Sequence, residues 1–133
     1  MLKRKECCDP WAPRIREEGL AEVPNLLLSI NKYISRKEKQ ISPTEIWVLF
    51  ILISLWQQQP YYPIPTKNIL AESLAMSTRQ IQRALSGLEE KGYISRVSRF
   101  ENNIRVSNAY DLNGVMDLLD KIAKTKSKID QAA

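Results

Sequence analysis

Apolar residues recur along the chain with two different periods, and the change between them marks its organisation. From Pro24 onward, Leu27, Ile30 and Ile34, with Tyr33 beside them, predict a helix ending near Ser35, ahead of the charged residues 36–39. Ser42-Pro43-Thr44-Glu45 reads as a helix start, with Ser at the N-cap, Pro at the first helical position and Glu placed to close a capping box. Residues 46–56 are apolar almost all round, interrupted by Ser54, which predicts a central buried helix. Gln57-Gln58-Gln59-Pro60-Tyr61-Tyr62-Pro63 and Pro65 then forbid its continuation. Thr66 opens a helix carrying Ile69, Leu70 and Leu74, and Ser77 opens the next, where Ser77-Thr78-Arg79-Gln80 repeats the capping-box pattern. Ile81, Ala84, Leu85 and Leu88 form its apolar stripe, and Gly92 supplies its C-terminal cap.

Two helices joined by a turn of about three residues form a helix-turn-helix. After Gly92 the period becomes two. Ile104, Val106, Asn108, Tyr110 and Leu112 are expected on one strand face, with Arg105, Ser107, Ala109 and Asp111 on the other. Residues 93–100 are rich in strand formers, and Glu101-Asn102-Asn103 suits the turn of a hairpin. Asn113 is placed to cap a last helix bearing Val115, Leu118, Leu119 and Ile122. The expected organisation is a charged arm over residues 1–22, one domain over 23–123 and a polar tail over 124–133. The arm is broken by Pro10, Pro13 and Gly19, and Trp11, Ile15 and Leu20 are its means of pinning onto a neighbour. The fold class is mainly α with a small β-hairpin, an α+β arrangement.

Composition narrows the function. The 133 residues, 44% hydrophobic and 26% charged, suit one small core and exclude collagenous, low-complexity or disordered classes. Histidine is absent, which excludes Ser/His/Asp and Cys/His catalysis and His-based zinc sites. With no phosphate-loop, paired-carboxylate or metal-ligand spacing either, the expectation is a protein that is not an enzyme and has no metal or cofactor. Cys7 and Cys8 are adjacent and staple nothing together, which points to free thiols in a reducing cytoplasm. The longest apolar run, residues 46–56, is 11 residues, short of the about 20 that span a bilayer. Lys3, Arg4 and Lys5 lead into no apolar stretch, so neither a membrane span nor a secretory signal is expected. The net charge of +5 implies an acidic partner.

Residues 65–112 resemble the winged helix-turn-helix domains of bacterial, phage and plasmid replication and regulatory proteins, and more loosely the MarR and GntR repressor families. The resemblance rests on Ile69-Leu70-Ala71-Glu72-Ser73-Leu74, Ser77-Thr78-Arg79-Gln80-Ile81-Gln82-Arg83-Ala84-Leu85, Leu88-Glu89-Glu90-Lys91-Gly92-Tyr93-Ile94 and Asn108-Ala109-Tyr110-Asp111-Leu112. With residues 42–56 as the preceding helix it extends over roughly half the chain, and it implies a winged helix-turn-helix that binds nucleic acid. One departure is Ala75, where such turns often carry Gly because a positive φ is usual; alanine there costs on the order of 1 kcal/mol.

The residues support the same assignment independently. With Ile81, Ala84, Leu85 and Leu88 facing the core, Arg79, Arg83 and Ser86 turn almost opposite, flanked by Gln82 on one side and Gln80 on the other. No carboxylate appears on that face before Glu89, whereas an ordinary solvated face interleaves carboxylates with its arginines. Arg binds guanine O6 and N7 bidentately, Gln reads adenine N6 and N7, and such a helix fits the B-form major groove. Ser77 and Thr78 suit phosphate contact at the helix N-terminus, with simple capping an equal alternative for Ser77. Arg99 and Arg105 flank a tip of Asn102 and Asn103, while Arg96 shares the parity of Ile94 and so tends toward the core. Residues 79–105 hold six basic side chains against three acidic, a local +3. Trp47, Trp56, Tyr61 and Tyr62 admit base stacking, but their places in the most apolar helix and among prolines favour packing. The expected function is sequence-specific binding of double-stranded DNA by a cytoplasmic transcriptional regulator; the alternatives are a plasmid or phage replication or partition protein and a winged-helix interaction adaptor. A homodimer is expected, joined through the stripes of the 25–35 and 115–122 helices, each of which serves equally well inside its own monomer. No small-molecule ligand is evident.

Overall fold

A computed structural model describes residues 10–57 and 61–132, with side chains through residue 127. Cys7, Cys8, the basic residues 3–5 and residues 58–60 of the proline-rich break lie outside the described residues. In the arm, α1 (Pro13–Glu18) starts with proline in its first turn and ends at Gly19, whose φ of 101° few other residues adopt. Trp11, Ile15 and Leu20 stay about half exposed. At the arm's end the Glu22 amide donates to Gln57 Oε1 at 2.9 Å, and Gln57 Nε2 donates back to the Glu22 carbonyl at 2.5 Å.

The single helix expected over residues 24–35 is split. α2 (Asn25–Leu28) gives way at Ser29 to a 3-10 turn, Ile30–Tyr33. Asn31 ties this turn to the next segment: its Nδ2 donates to the Ile41 carbonyl and its Oδ1 accepts from the Ile41 amide, both at 2.8 Å. That pull tightens the chain while Leu27, Ile30 and Ile34 stay in the core.

α3 (Pro43–Gln57) opens with the expected capping box. The Ser42 amide donates to Glu45 Oε1 at 2.8 Å, and the Glu45 amide donates to Ser42 Oγ at 3.3 Å. The helix is central, with Ile46, Phe50, Ile51 and Trp56 packed partly against the core and Trp47 its one exposed side chain over residues 44–56. Val48, Leu49, Leu52 and Ile53 face the core, whereas Trp47 is 54% exposed and meets Phe50 edge-on at 5.5 Å. The next two helices of the chain pack against α3.

α4 (Lys67–Leu74) is capped by Thr66, whose Oγ1 accepts from the Ile69 amide at 3.1 Å. It ends at Ala75, which does take the left-handed conformation, φ 53° and ψ 44°. The Met76 amide reaches back to the Ala71 carbonyl and the Ala75 amide to that of Glu72, so the turn has the Schellman form with alanine in glycine's usual place. α5 (Thr78–Glu90) follows, with Ile81, Ala84, Leu85 and Leu88 buried. Its end is also a Schellman motif: Gly92 at φ 83°, with the Tyr93 amide on the Leu88 carbonyl and the Gly92 amide on that of Glu89.

β1 (Ser95–Glu101) and β2 (Ile104–Asp111) form an antiparallel hairpin. Asn102 and Asn103 both have positive φ, as a two-residue hairpin turn matched to the strand twist requires. Val97 faces Ala109 and Arg99 faces Val106, so two steps on β1 answer three on β2. This bulge reverses the parity of β2. Ile104 and Val106 therefore do not share a face with Tyr110, contrary to the uninterrupted alternation expected, and Ile104 is 68% exposed while Tyr110 is buried. The Tyr110 amide donates to the Pro63 carbonyl at 3.0 Å, which adds a single rung from the segment before α4.

α6 (Asn113–Ala132) begins against the end of α5. The Val115 amide donates to the Tyr93 carbonyl at 2.9 Å, and a Cβ on Gly114 would collide with the Gly92 carbonyl. The Asp111 carboxylate, rather than the Asn113 side chain, accepts the first amide, that of Asn113, at 2.8 Å; Asn113 Nδ2 donates to the Tyr62 hydroxyl instead. The expected polar tail continues this helix, with Asp120 and Lys124 paired one turn apart at 3.0 Å. α2 packs on α6, so Leu27, Ile30, Val115, Leu119 and Ile122 join one core within the chain. Those stripes are thereby covered inside the monomer.

Candidate nucleic-acid interface

The sequence of α5 sets both of its faces. Its apolar stripe is fully used in the core, which fixes the rotation of the helix and turns Arg79, Arg83 and Ser86 outward as exposed side chains, with Gln82 half-buried beside them. Gln82 Nε2 donates to Ser86 Oγ at 3.4 Å, one turn on. At the N-terminus Ser77 and Gln80 close the capping box: the Ser77 amide donates to Gln80 Oε1 at 2.9 Å and the Gln80 amide to Ser77 Oγ at 3.1 Å. Gln80 thus holds the start of the helix, and Ser77 serves as its cap. Thr78 is exposed in the first turn. Gln80 and Arg83 also border a shallow cleft with Ser42 and Thr44, which brings the start of α3 alongside the outward face of α5.

Ion pairing sorts the basic residues into two groups. Lys91 Nζ lies 2.6 Å from Glu45 Oε1, Arg96 Nη2 lies 3.1 Å from Glu89 Oε2, and Arg99 Nη2 lies 3.4 Å from Glu101 Oε1. Arg79, Arg83 and Arg105 have no ion-pair partner among the described residues. The local excess of positive charge therefore resides on the outward face of α5 and on one strand of the wing.

The hairpin divides its candidates between two faces. Arg105 pairs with Phe100 across the strands and shares the face of Arg96 and Tyr110, whereas Arg99 pairs with Val106 on the other. Arg99 Nη1 also donates to the Ser107 carbonyl at 3.1 Å. Together with Trp56, Tyr62, Ala109 and Asn113 it borders a groove of about 720 Å³. Trp56 and Tyr62 meet there at 6.4 Å between ring centroids, so these aromatics pack at the root of the wing, while Tyr61 stays exposed. Asn102 and Asn103 form the exposed tip. As its parity suggested, Arg96 is held over the core side, with its side chain only 28% exposed.

Two features escaped the sequence reading. Phe100 is 64% exposed near the wing tip. Lys67, one residue past the N-cap of α4, joins Arg96 and Arg105 around a second cleft of about 470 Å³. A lysine immediately after a helix cap is a weak signal, and its proximity to the wing depends on a contact between segments roughly 30 residues apart.

Two tyrosines near the interface are shifted. Burial, and secondarily the Glu45 carboxylate, raises the pKa of Tyr93, whose hydroxyl donates to the Lys39 carbonyl at 2.6 Å. Burial likewise raises that of Tyr110, against a smaller opposing effect from Arg96. Among the described residues no group of His, Cys, Asp and Glu is placed to hold a metal ion, and no helix is long and apolar enough to cross a membrane.

Residues 39–94 match a family model described as a helix-turn-helix domain. The matched span runs from Lys39, the last residue of a second 3-10 turn (Lys37–Lys39) ahead of α3, through the Schellman end of α5, and the antiparallel hairpin follows it directly. The fold is a winged helix-turn-helix, flanked by helices at both ends, and the match supports a DNA-binding role. A comparison with curated proteins gives no match.

Proposed function

We propose that the protein is a sequence-specific binder of double-stranded DNA that acts in the cytoplasm as a transcriptional regulator, as a homodimer and without catalysis or a cofactor. The observation that carries this reading is the outward face of α5, where Arg79 and Arg83 have no counter-ion among the described residues, Ser86 is exposed with them and Gln82 flanks them. An arginine without a carboxylate partner keeps all its donors for a guanine edge or a phosphate. Arg105 and the Asn102-Asn103 tip supply a second contact from the wing. A single recognition helix of 13 residues reads few base pairs, and a two-fold partner doubles the site.

The test is selection of bound fragments from random and source-genome DNA, followed by mass measurement of the complex. A shared two-fold site with two chains bound is expected. Bound fragments no more alike than the starting pool would contradict sequence specificity, and one chain per site would contradict the dimer.

A further inference from the structure

We propose that the cleft between the start of α4 and the wing is a binding site for one backbone phosphate of DNA, held by Lys67 and Arg105 with Arg96 behind them. The inference rests on the DNA-binding reading above and adds a site on an element other than the recognition helix.

The cleft has a volume of about 470 Å³, and its walls include Lys67 and Asn68 from α4, Arg96 from β1, and Arg105, Ser107 and Asn108 from β2. Three cationic side chains from three elements border it, and no carboxylate does. Glu89 answers part of the charge of Arg96 from outside the cleft, at 3.1 Å. Lys67 and Arg105 have no ion-pair partner among the described residues. Like charges gathered around one cavity repel one another unless an anion sits between them. Asn68 and Ser107 add hydrogen-bond donors of the kind that phosphate oxygens accept.

A second observation is independent of charge. Arg96 Nε and Asn108 Oδ1 are buried polar atoms without a hydrogen-bond partner, and both residues line this cleft. Buried polar atoms are nearly always satisfied, and of these two the Arg96 Nε donor is the one that a phosphate oxygen completes. The cleft is reachable from outside, since Lys67, Asn68, Arg105 and Ser107 are all exposed. A phosphate carried on a polymer therefore enters without any opening of the fold.

Position selects the DNA backbone as the source. α4 has eight residues, so it spans about 12 Å between the cleft and the turn that launches α5. The B-form major groove is about 12 Å wide and is bordered by phosphates. With α5 in the groove, a cleft at that distance lies beside the strand that borders it.

The experiment uses the full chain and the duplex that it selects. Each phosphate is replaced in turn by a neutral methylphosphonate, and affinity is measured against salt for the wild type, Lys67→Ala and Arg83→Ala. We expect one phosphate whose neutralisation weakens the wild type several-fold and weakens Lys67→Ala by a smaller factor, because only the arginines then remain to hold it. The log–log salt slope of Lys67→Ala should be smaller by about 1, with base preference unchanged. Lys67 is exposed, so its truncation leaves the core intact. If Lys67→Ala matches the wild type in affinity, slope and methylphosphonate pattern while Arg83→Ala loses its preference, the cleft is refuted and the DNA-binding reading stands. If the wild type binds no duplex, both fall. If Lys67→Ala changes the binding of inorganic phosphate but not of DNA, the cleft takes small anions and the proposal is overturned.

Discussion

Lys91, at the C-cap of α5, reaches Glu45 in the first turn of α3 with 2.6 Å between Nζ and Oε1. The same ammonium donates to the Gln40 carbonyl at 2.8 Å, and the same carboxylate oxygen closes the capping box on the Ser42 amide. Both side chains are largely buried, at 19% and 7% exposure. Gly87, one turn before Lys91, leaves room for this carboxylate, because a Cβ there would overlap Glu45 Oε2. The pair therefore fixes the recognition helix to the central helix, and Lys91 has no part in the charge offered to DNA.

Lys91→Ala strands a buried carboxylate. We expect a loss of stability of about 3 kcal/mol, since removing one partner of a buried pair leaves the other without compensation. Urea unfolding measures it. The DNA affinity and salt slope of the folded fraction should not change, and a reduced slope would mean that Lys91 does face phosphate.

Ala75→Gly should stabilise the protein. The left-handed conformation of Ala75 costs alanine about 1–2 kcal/mol, against which glycine adds about 0.4–1 kcal/mol of unfolded-state entropy. The balance is a gain of roughly 0.5–1 kcal/mol, readable in the urea midpoint at unchanged slope. A loss of stability would show that the Ala75 side chain makes a contact worth more than the strain.

Above pH 10 the protein should lose stability. Tyr93 has its pKa raised above the ordinary 10.0 by burial and by Glu45, so the folded state keeps a proton that the unfolded chain has released. The contribution is fully present below the unfolded value and is lost as pH rises through the folded one. Tyr93→Phe gives up the hydrogen bond to the Lys39 carbonyl, about 1 kcal/mol at neutral pH, and its decline above pH 10 should be shallower. Parallel declines in the two proteins would assign the alkaline sensitivity elsewhere.

What could be read in the sequence was whatever depends on near neighbours. Both capping boxes, the stripe of α5, the glycine at its end and the left-handed Ala75 are set within a few residues, and the residue types state them directly. The wing faces were read incorrectly because a bulge needs a register between two strands, and alternation along β2 alone contains no trace of it. Trp47 was legible as apolar but not as exposed, since which side of an all-apolar helix is covered depends on where α4 and α5 come to rest. For the interface, the outward arginines of α5 followed from helical geometry. The pairing of Lys91 with Glu45, 46 residues away, did not, and neither did the meeting of Lys67 with Arg105.

The central claim is that the outward face of α5 reads base edges, and substitution of Arg83 tests it most directly. Titration of wild type and Arg83→Ala with the selected duplex and with random DNA should show a loss of about 1–3 kcal/mol on the selected sequence and a relaxed preference at one base pair. Equal affinity of the two proteins for both duplexes would contradict the account.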